Sequence, residues 1–303
     1  MSIYVKDADG NRKKVAGIGL PGPAGKSAYQ YAVEGGFTGT EDEFRALMGT
    51  GPWVPEKGFV PASNHNLLDN AYWASKDCII NQKGKEEYTG PGFVIDRWWA
   101  SSGLIITLED GWLKLHNPGT AGIKIFMQKT DPSEYDALVG SRATISVLYK
   151  CDTSGCKMYG DAANADGTTI QVIFPLVGLE SDEQPHVISS TSGVISALTM
   201  SRWQHFSLIV TPGATVWFKA AKLELGSVQT LAHQDAGGNW VLNDPPPDKA
   251  LELAKCQRYY QIFATQSLRP TKAEDFRPPM RVNPALGTIV IDGVTYYTAD
   301  ANL

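Results

Sequence analysis

From Asn66 to Gly226 the chain alternates apolar and polar residues in short runs, each closed by Gly, Pro, Asn, Asp or Ser. A two-residue period of this kind marks strands with one buried face. The runs are Phe93-Val-Ile-Asp-Arg-Trp-Trp99, Leu104-Ile-Ile-Thr-Leu108, Trp112-Leu-Lys-Leu-His116, Ile123-Lys-Ile-Phe-Met127, Thr144-Ile-Ser-Val-Leu-Tyr149, Thr168-Thr-Ile-Gln-Val-Ile-Phe174, His186-Val-Ile188, His205-Phe-Ser-Leu-Ile-Val210 and Thr215 to Leu225. Asp110-Gly111 between two of them is a tight-hairpin signal. Many short strands with regular turns and few helical periods predict a mainly β chain, a β-sandwich of jelly-roll type. Successive strand residues point to opposite faces. Trp98 is therefore expected inside with Trp99 outside, and Trp217 and Phe218 are expected to divide in the same way.

The two ends follow other patterns. Gly19-Leu-Pro-Gly22-Pro-Ala-Gly25 keeps glycine at every third position, the period that lets three extended chains meet at one axis. Three triplets cannot hold a triple helix alone. They read as a hint of threefold association, or as a flexible linker. Ser27-Ala-Tyr-Gln30 and Thr40-Glu-Asp-Glu43 are capping boxes that open two short helices. Their apolar residues Tyr29, Val33, Phe44 and Leu47 need a surface to cover them, because helices this short do not persist alone. Residues 52–61 read as a linker. After Gly226, Asp248 caps a helix running toward Tyr260, with Leu251, Ala254 and Tyr259 on or near one face and available to sister chains. Asp292-Gly293 predicts a terminal hairpin. The expected units are an attachment segment over 1–62, the jelly roll over 63–228, and a linker, helix and hairpin over 229–303.

Composition narrows the function. Lys plus Arg is 27 against 32 for Asp plus Glu, a net charge of −5. Phosphate affinity comes from clustered Lys and Arg, so no nucleic-acid partner is expected. No apolar run is long enough to cross a bilayer, and the first residues lack a secretion signal. Synthesis in a cytoplasm without a signal peptide is the expectation. Four scattered cysteines, Cys78, Cys151, Cys156 and Cys256, read as reduced side chains, although Cys151 and Cys156 face each other across a turn. No nucleophile elbow, zinc motif, phosphate loop or dinucleotide fingerprint is present, and no cofactor or metal is expected. Glu109-Asp110 and Glu180-Ser-Asp-Glu183 are carboxylate pairs in turns, where solvated roles outweigh catalytic ones. Asp96-Arg97 reads as a structural ion pair. Sugars are held by exposed aromatic rings with polar groups at the rim. Of the eight tryptophans most serve the core, and Trp99 and Tyr159 are the candidates for glycan stacking.

Several stretches carry a family likeness. The segment from Gly22 to Phe44 resembles one recurring near the start of phage and prophage tail-fibre and baseplate proteins. Asn66-Leu-Leu-Asp-Asn70, Asn81-Gln-Lys-Gly84, Tyr88-Thr-Gly-Pro-Gly92 and Ile95-Asp-Arg-Trp98 resemble the carbohydrate-binding-module-like jelly roll of such fibres. Lys222-Leu-Glu-Leu-Gly226, Pro245-Pro-Pro-Asp248, Leu253 to Tyr260 and Pro279-Met-Arg-Val-Asn-Pro284 resemble its last strand, the following helix and the usual sequel. The resemblance implies a non-enzymatic, homotrimeric fibre of a phage tail or phage-derived contractile injection system. Such a fibre is exposed to the medium, joined to a tail or baseplate protein through its N-terminal segment, and attached to host surface polysaccharide. Modules of this family sometimes hold calcium near the first strand, where Asn66 and Asp69 stand, but no dense acidic cluster accompanies them. The rival readings are a structural subunit without glycan affinity and, behind it, a polysaccharide depolymerase.

Overall fold

The computed structural model describes residues 3–6, 12–16, 33, 38, 63–109, 111–130, 138–163, 170–195, 202–268 and 270–302. Gly19, Gly22, Gly25, Tyr29, Phe44 and Leu47 lie outside the described residues. Val33 is helical and exposed. The chain divides into two units, Met1–Val54 and Pro55–Leu303. In the first, strands β1 (Ile3–Lys6) and β2 (Arg12–Ala16) pair antiparallel, a hairpin that the sequence reading did not place.

The second unit is built on two six-stranded sheets. Its strands are β3 (Glu87–Thr89), β4 (Gly92–Phe93), β5 (Trp98–Ala100), β6 (Ile105–Glu109), β7 (Trp112–His116), β8 (Lys124–Thr130), β9 (Ala143–Cys151), β10 (Lys157–Ala163), β11 (Ile170–Gly178), β12 (His186–Thr191), β13 (Arg202–Val210) and β14 (Thr215–Leu225). The front sheet runs β11-β10-β13-β8-β5-β4 and the back sheet β12-β9-β14-β7-β6-β3. Every pairing in them is antiparallel. The result is the expected mainly β jelly-roll sandwich. Alternation explains it: in β7 Leu113 and Leu115 are buried while Trp112, Lys114 and His116 are not.

The core between the sheets centres on aromatics. Trp98 stacks on Phe126 at 4.9 Å and meets Trp73 edge-on at 5.0 Å and Phe206 at 5.8 Å. Its indole N–H donates to the Asn70 carbonyl at 2.9 Å, which removes the cost of burying that donor. Trp98 and Phe218 are fully buried while Trp99 and Trp217 are half-exposed, so both pairs divide as expected.

The run from Phe93 to Trp99 is not one strand. It breaks into β4 and β5 around a tight turn in which Trp98 N–H donates to the Ile95 carbonyl and Val94 N–H to the Trp98 carbonyl. Arg97 sits in the left-handed region at φ 72°. Its ion-pair partner is Asp69, with Nε to Oδ2 at 2.9 Å, and not the adjacent Asp96. Asp96 instead accepts from the Gln82 backbone N–H at 2.8 Å and from its side-chain amide at 2.5 Å.

Burial pushes the Asp96 carboxyl up to about 6, against the Gln82 hydrogen bonds that favour its charge. A native pKa above the unfolded value means that the folded state binds the proton more tightly. This contribution is fully present below the unfolded pKa and is lost as pH rises through about 6. Wild type is therefore expected to gain up to about 3 kcal/mol relative to Asp96→Asn as pH falls from neutral to about 4. Urea unfolding of both proteins across that window checks it; parallel stability profiles would refute it.

Beyond the sandwich, β15 (Ala232–Gln234) and β16 (Trp240–Leu242) form a hairpin. It covers Leu148 and Ala220 on the outer side of the back sheet with Leu231, Ala232, Trp240 and Leu242. Helix α1 (Lys249–Gln257) follows, capped by Asp248, whose carboxylate accepts from the N–H groups of Ala250 at 2.8 Å and Leu251 at 3.0 Å. Strand β17 (Tyr260–Phe263) then joins the hairpin of β18 (Ala285–Ile291) and β19 (Val294–Asp300) in the order β17-β19-β18. Asp292 and Gly293 both have positive φ at the turn, as the Asp-Gly signal requires.

The face of α1 differs from the expected one. Its buried residues are Glu252 and Cys256, and Leu251 is 67% exposed. Tyr259, beyond the helix, is buried beneath the Arg97 guanidinium at 3.4 Å and is not available to a sister chain. The Glu252 carboxylate accepts from the Asn70 backbone N–H, and Gln82 donates to the Tyr260 carbonyl at 2.8 Å. These contacts lock residues 249–260 onto the sandwich.

Candidate functional site

The front sheet presents an outward row that crosses five strands. In register, Phe93 faces Trp99, Trp99 faces Met127, Met127 faces Ser207 and Ser207 faces Tyr159. Trp99 and Tyr159, chosen separately from the sequence, thus stand on one face of one sheet. They are three strand spacings apart, about 14 Å. Phe93, Trp99, Met127 and Tyr159 are all half-buried, with part of each side chain left to solvent, while Ser207 between Met127 and Tyr159 is buried. Burial, with Asp161 nearby, raises the Tyr159 phenol above its ordinary pKa, so it stays neutral and able to donate.

Polar groups flank this row. Two residues along each strand, Lys129 and Asp161 occupy the next outward row, joined through the His205 backbone register. Burial pushes Lys129 down to about 8 and Asp161 up to about 6, so both are poised near neutrality. On the other side, Ile125, Ile209 and Lys157 share a row. Rings bordered by hydrogen-bonding groups suit a sugar, whose faces are apolar and whose edges are hydroxyls. Asp161 is the single carboxylate among the described residues of these three rows.

The other candidates are spent elsewhere. Asp69 is held by Arg97, and the Asn66 side-chain oxygen accepts from Leu68 N–H at 3.0 Å and Leu223 N–H at 3.1 Å. Among the described residues no group of three His, Cys, Asp or Glu side chains is placed to hold a metal ion. Glu180 and Glu183 are exposed, and Asp182 between them pairs with His186 at 2.7 Å. All four cysteines are buried free thiols. Cys151 and Cys156 interact, and the hydrogen bond between them lowers the Cys156 thiol below its ordinary value.

Sequence reasoning missed the outer face of the back sheet, where Trp112, Trp217 and Trp240 are all half-exposed. A signal was present: Trp112 and Lys114, like Trp217 and Lys219, are two residues apart and so share a strand face.

No family model matches this chain, and no curated protein matches it. Solved structures do. The CBM22-1 xylan-binding domain of Paenibacillus barcinonensis Xyn10C aligns over 58% of this chain and 100% of its own, with 12% identity and a TM-score of 0.36. A structure described as CBM4 aligns over 48% of this chain and 99% of its own, with 19% identity and a TM-score of 0.34. The enzymatically active domain of bacteriophage CBA120 tailspike protein 4 aligns over 50% of this chain and 23% of its own, with 13% identity and a TM-score of 0.33.

Proposed function

We propose that the chain is a non-enzymatic glycan-binding subunit of a phage or phage-like tail fibre, attaching the particle to host surface polysaccharide through the front sheet. The observation that carries the glycan reading is the register row joining Trp99 to Tyr159 across Met127 and Ser207. Two separated rings with Lys129 and Asp161 beside them can lie along a saccharide chain, with stacking for affinity and hydrogen bonds for orientation. The tail-fibre part rests on the sequence resemblance alone. With it come a homotrimer, a tail or baseplate partner for the N-terminal segment, and exposure to the extracellular medium.

Trp99→Ala and Tyr159→Ala are each expected to weaken polysaccharide binding about tenfold, the loss of one stacked ring. Because both side chains face outward, the melting temperature should hardly move. A glycan array followed by titration of the best hit checks this; wild-type levels of binding in both variants would remove the front sheet from the proposal. Incubation with the same polysaccharide should release no reducing ends. Turnover that vanishes in Glu180→Gln or Glu183→Gln would make the chain a depolymerase. Light scattering tests the trimer, and a mass near the 32.9 kDa of a single chain would sink it.

A further inference from the structure

The back sheet carries a second aromatic surface that the front-sheet reading does not use. Trp217 on β14 lies in register between Lys114 on β7 and Lys150 on β9. The Lys150 ammonium is 4.4 Å from the Trp112 ring centre and 5.5 Å from that of Trp217. Lys219 is 5.3 Å from Trp112, and Lys114 is 5.9 Å from Trp217. Lys219 gains its place through a β-bulge between Phe218 and Ala220. There two consecutive residues, Lys219 and Ala220, point outward, toward Trp112 and toward the hairpin of β15 and β16. Between sheet and hairpin runs a groove of about 300 Å³, lined among others by Trp112, Trp240, Lys219 and His186.

Charge decides what suits this groove. Lys114 has a carboxylate partner, Glu109, at 3.3 Å. Lys150 and Lys219 have none among the described residues, in a protein whose net charge is −5. Their ammoniums rest on indole rings instead. At an exposed site such a contact is weaker than a hydrogen bond to a charged group. An arriving anion therefore draws the ammonium off the ring and frees the indole face. We propose that this groove binds an acidic polysaccharide, with sugar rings laid on Trp112 and Trp240 and their carboxylate or phosphate groups paired with Lys150 and Lys219. A nucleic acid suits it less. The cationic patch is short, and Glu109 and Asp182 border it where a phosphate backbone would need further cations. The site is independent of Trp99 and Tyr159.

The test titrates the intrinsic tryptophan fluorescence of the full chain. The probes are an oligogalacturonate and a phosphorylated oligosaccharide whose sugar rings carry phosphate monoesters, with a neutral oligosaccharide and a single-stranded oligonucleotide as comparators. Saturable binding of at least one acidic probe is expected, weaker at high salt and tighter than that of either comparator. The probe that binds tells carboxylate from phosphate. Lys150→Gln and Lys219→Gln, which keep side-chain bulk at half-exposed positions, should each weaken binding about tenfold with unchanged melting temperature. Lys249→Gln, an exposed lysine at the start of α1, should have no effect. The proposal is overturned if neither acidic probe binds, if the neutral sugar binds as well as the acidic ones, if all three lysine variants behave alike, or if the oligonucleotide binds more tightly than either acidic probe.

Discussion

Replacing Arg97 by alanine is expected to cost about 3–5 kcal/mol of stability, the penalty for leaving a buried charge without its partner. The Arg97 side chain is 1% exposed, and its Nε–H donates to Asp69 at 2.9 Å. A second guanidinium N–H donates to the Lys129 carbonyl at 2.8 Å, and the plane lies on the Tyr259 ring at 3.4 Å. Truncation therefore strands a carboxylate, a carbonyl and a ring together. The loss should appear as a lower urea midpoint. Arg97→Met distinguishes the causes: it restores bulk but not charge and should recover little by itself. Adding Asp69→Asn to it should recover a measurable part, because the stranded charge is then gone. If Arg97→Ala unfolds at the wild-type midpoint, the ion pair is not what holds Tyr259 and the following strand to the sandwich.

Trp98→Ala is expected to cost a similar amount, about 3–5 kcal/mol, for a different reason. The indole is wholly buried and touches Trp73, Phe126 and Phe206, so its removal opens a cavity at the centre of the core. Trp98→Phe should lose less. It keeps most of the packing and gives up the hydrogen bond to the Asn70 carbonyl, about 1–3 kcal/mol for a buried acceptor left bare. The adjacent Trp99→Ala supplies the contrast. Two tryptophans joined by one peptide bond should separate cleanly, one controlling the melt and the other controlling binding. Equal thermal losses at the two positions would mean that Trp99 is also part of the packing.

Much of this architecture was legible because alternation is a local property. The pattern in Trp112 to His116 names a strand and its buried face without any knowledge of the partner strand. The Asp292-Gly293 hairpin is legible for the same reason. Strand β10 escaped notice because Lys157-Met-Tyr-Gly-Asp-Ala-Ala163 is small and glycine-containing, with little β-branched character to mark it. Non-local pairings escaped too. The choice of Asp69 over Asp96 by Arg97 spans 28 residues and depends on a left-handed turn at Arg97. The Tyr259 ring beneath that guanidinium is contributed from beyond α1. For the candidate sites, Trp99 and Tyr159 could be selected one at a time. Their alignment in one row is a matter of register across four strands, which no single run of sequence contains.

The bulge at Lys219 and Ala220 also limits how strand β14 can change in length over evolutionary time. Upstream of it Trp217 points outward and Phe218 inward; downstream Lys222 and Glu224 point outward and Leu223 inward. The two halves are in phase with their surroundings only because one extra residue sits between them. A deletion there would swing Lys222 and Glu224 into the apolar interior, away from Asp244 and Thr230, or carry Trp217 inward against Phe126 and its neighbours. Substitutions at Lys219 alter the groove at little cost to the fold. Related chains should therefore differ freely in residue type at this position while the number of residues between Trp217 and Lys222 stays constant.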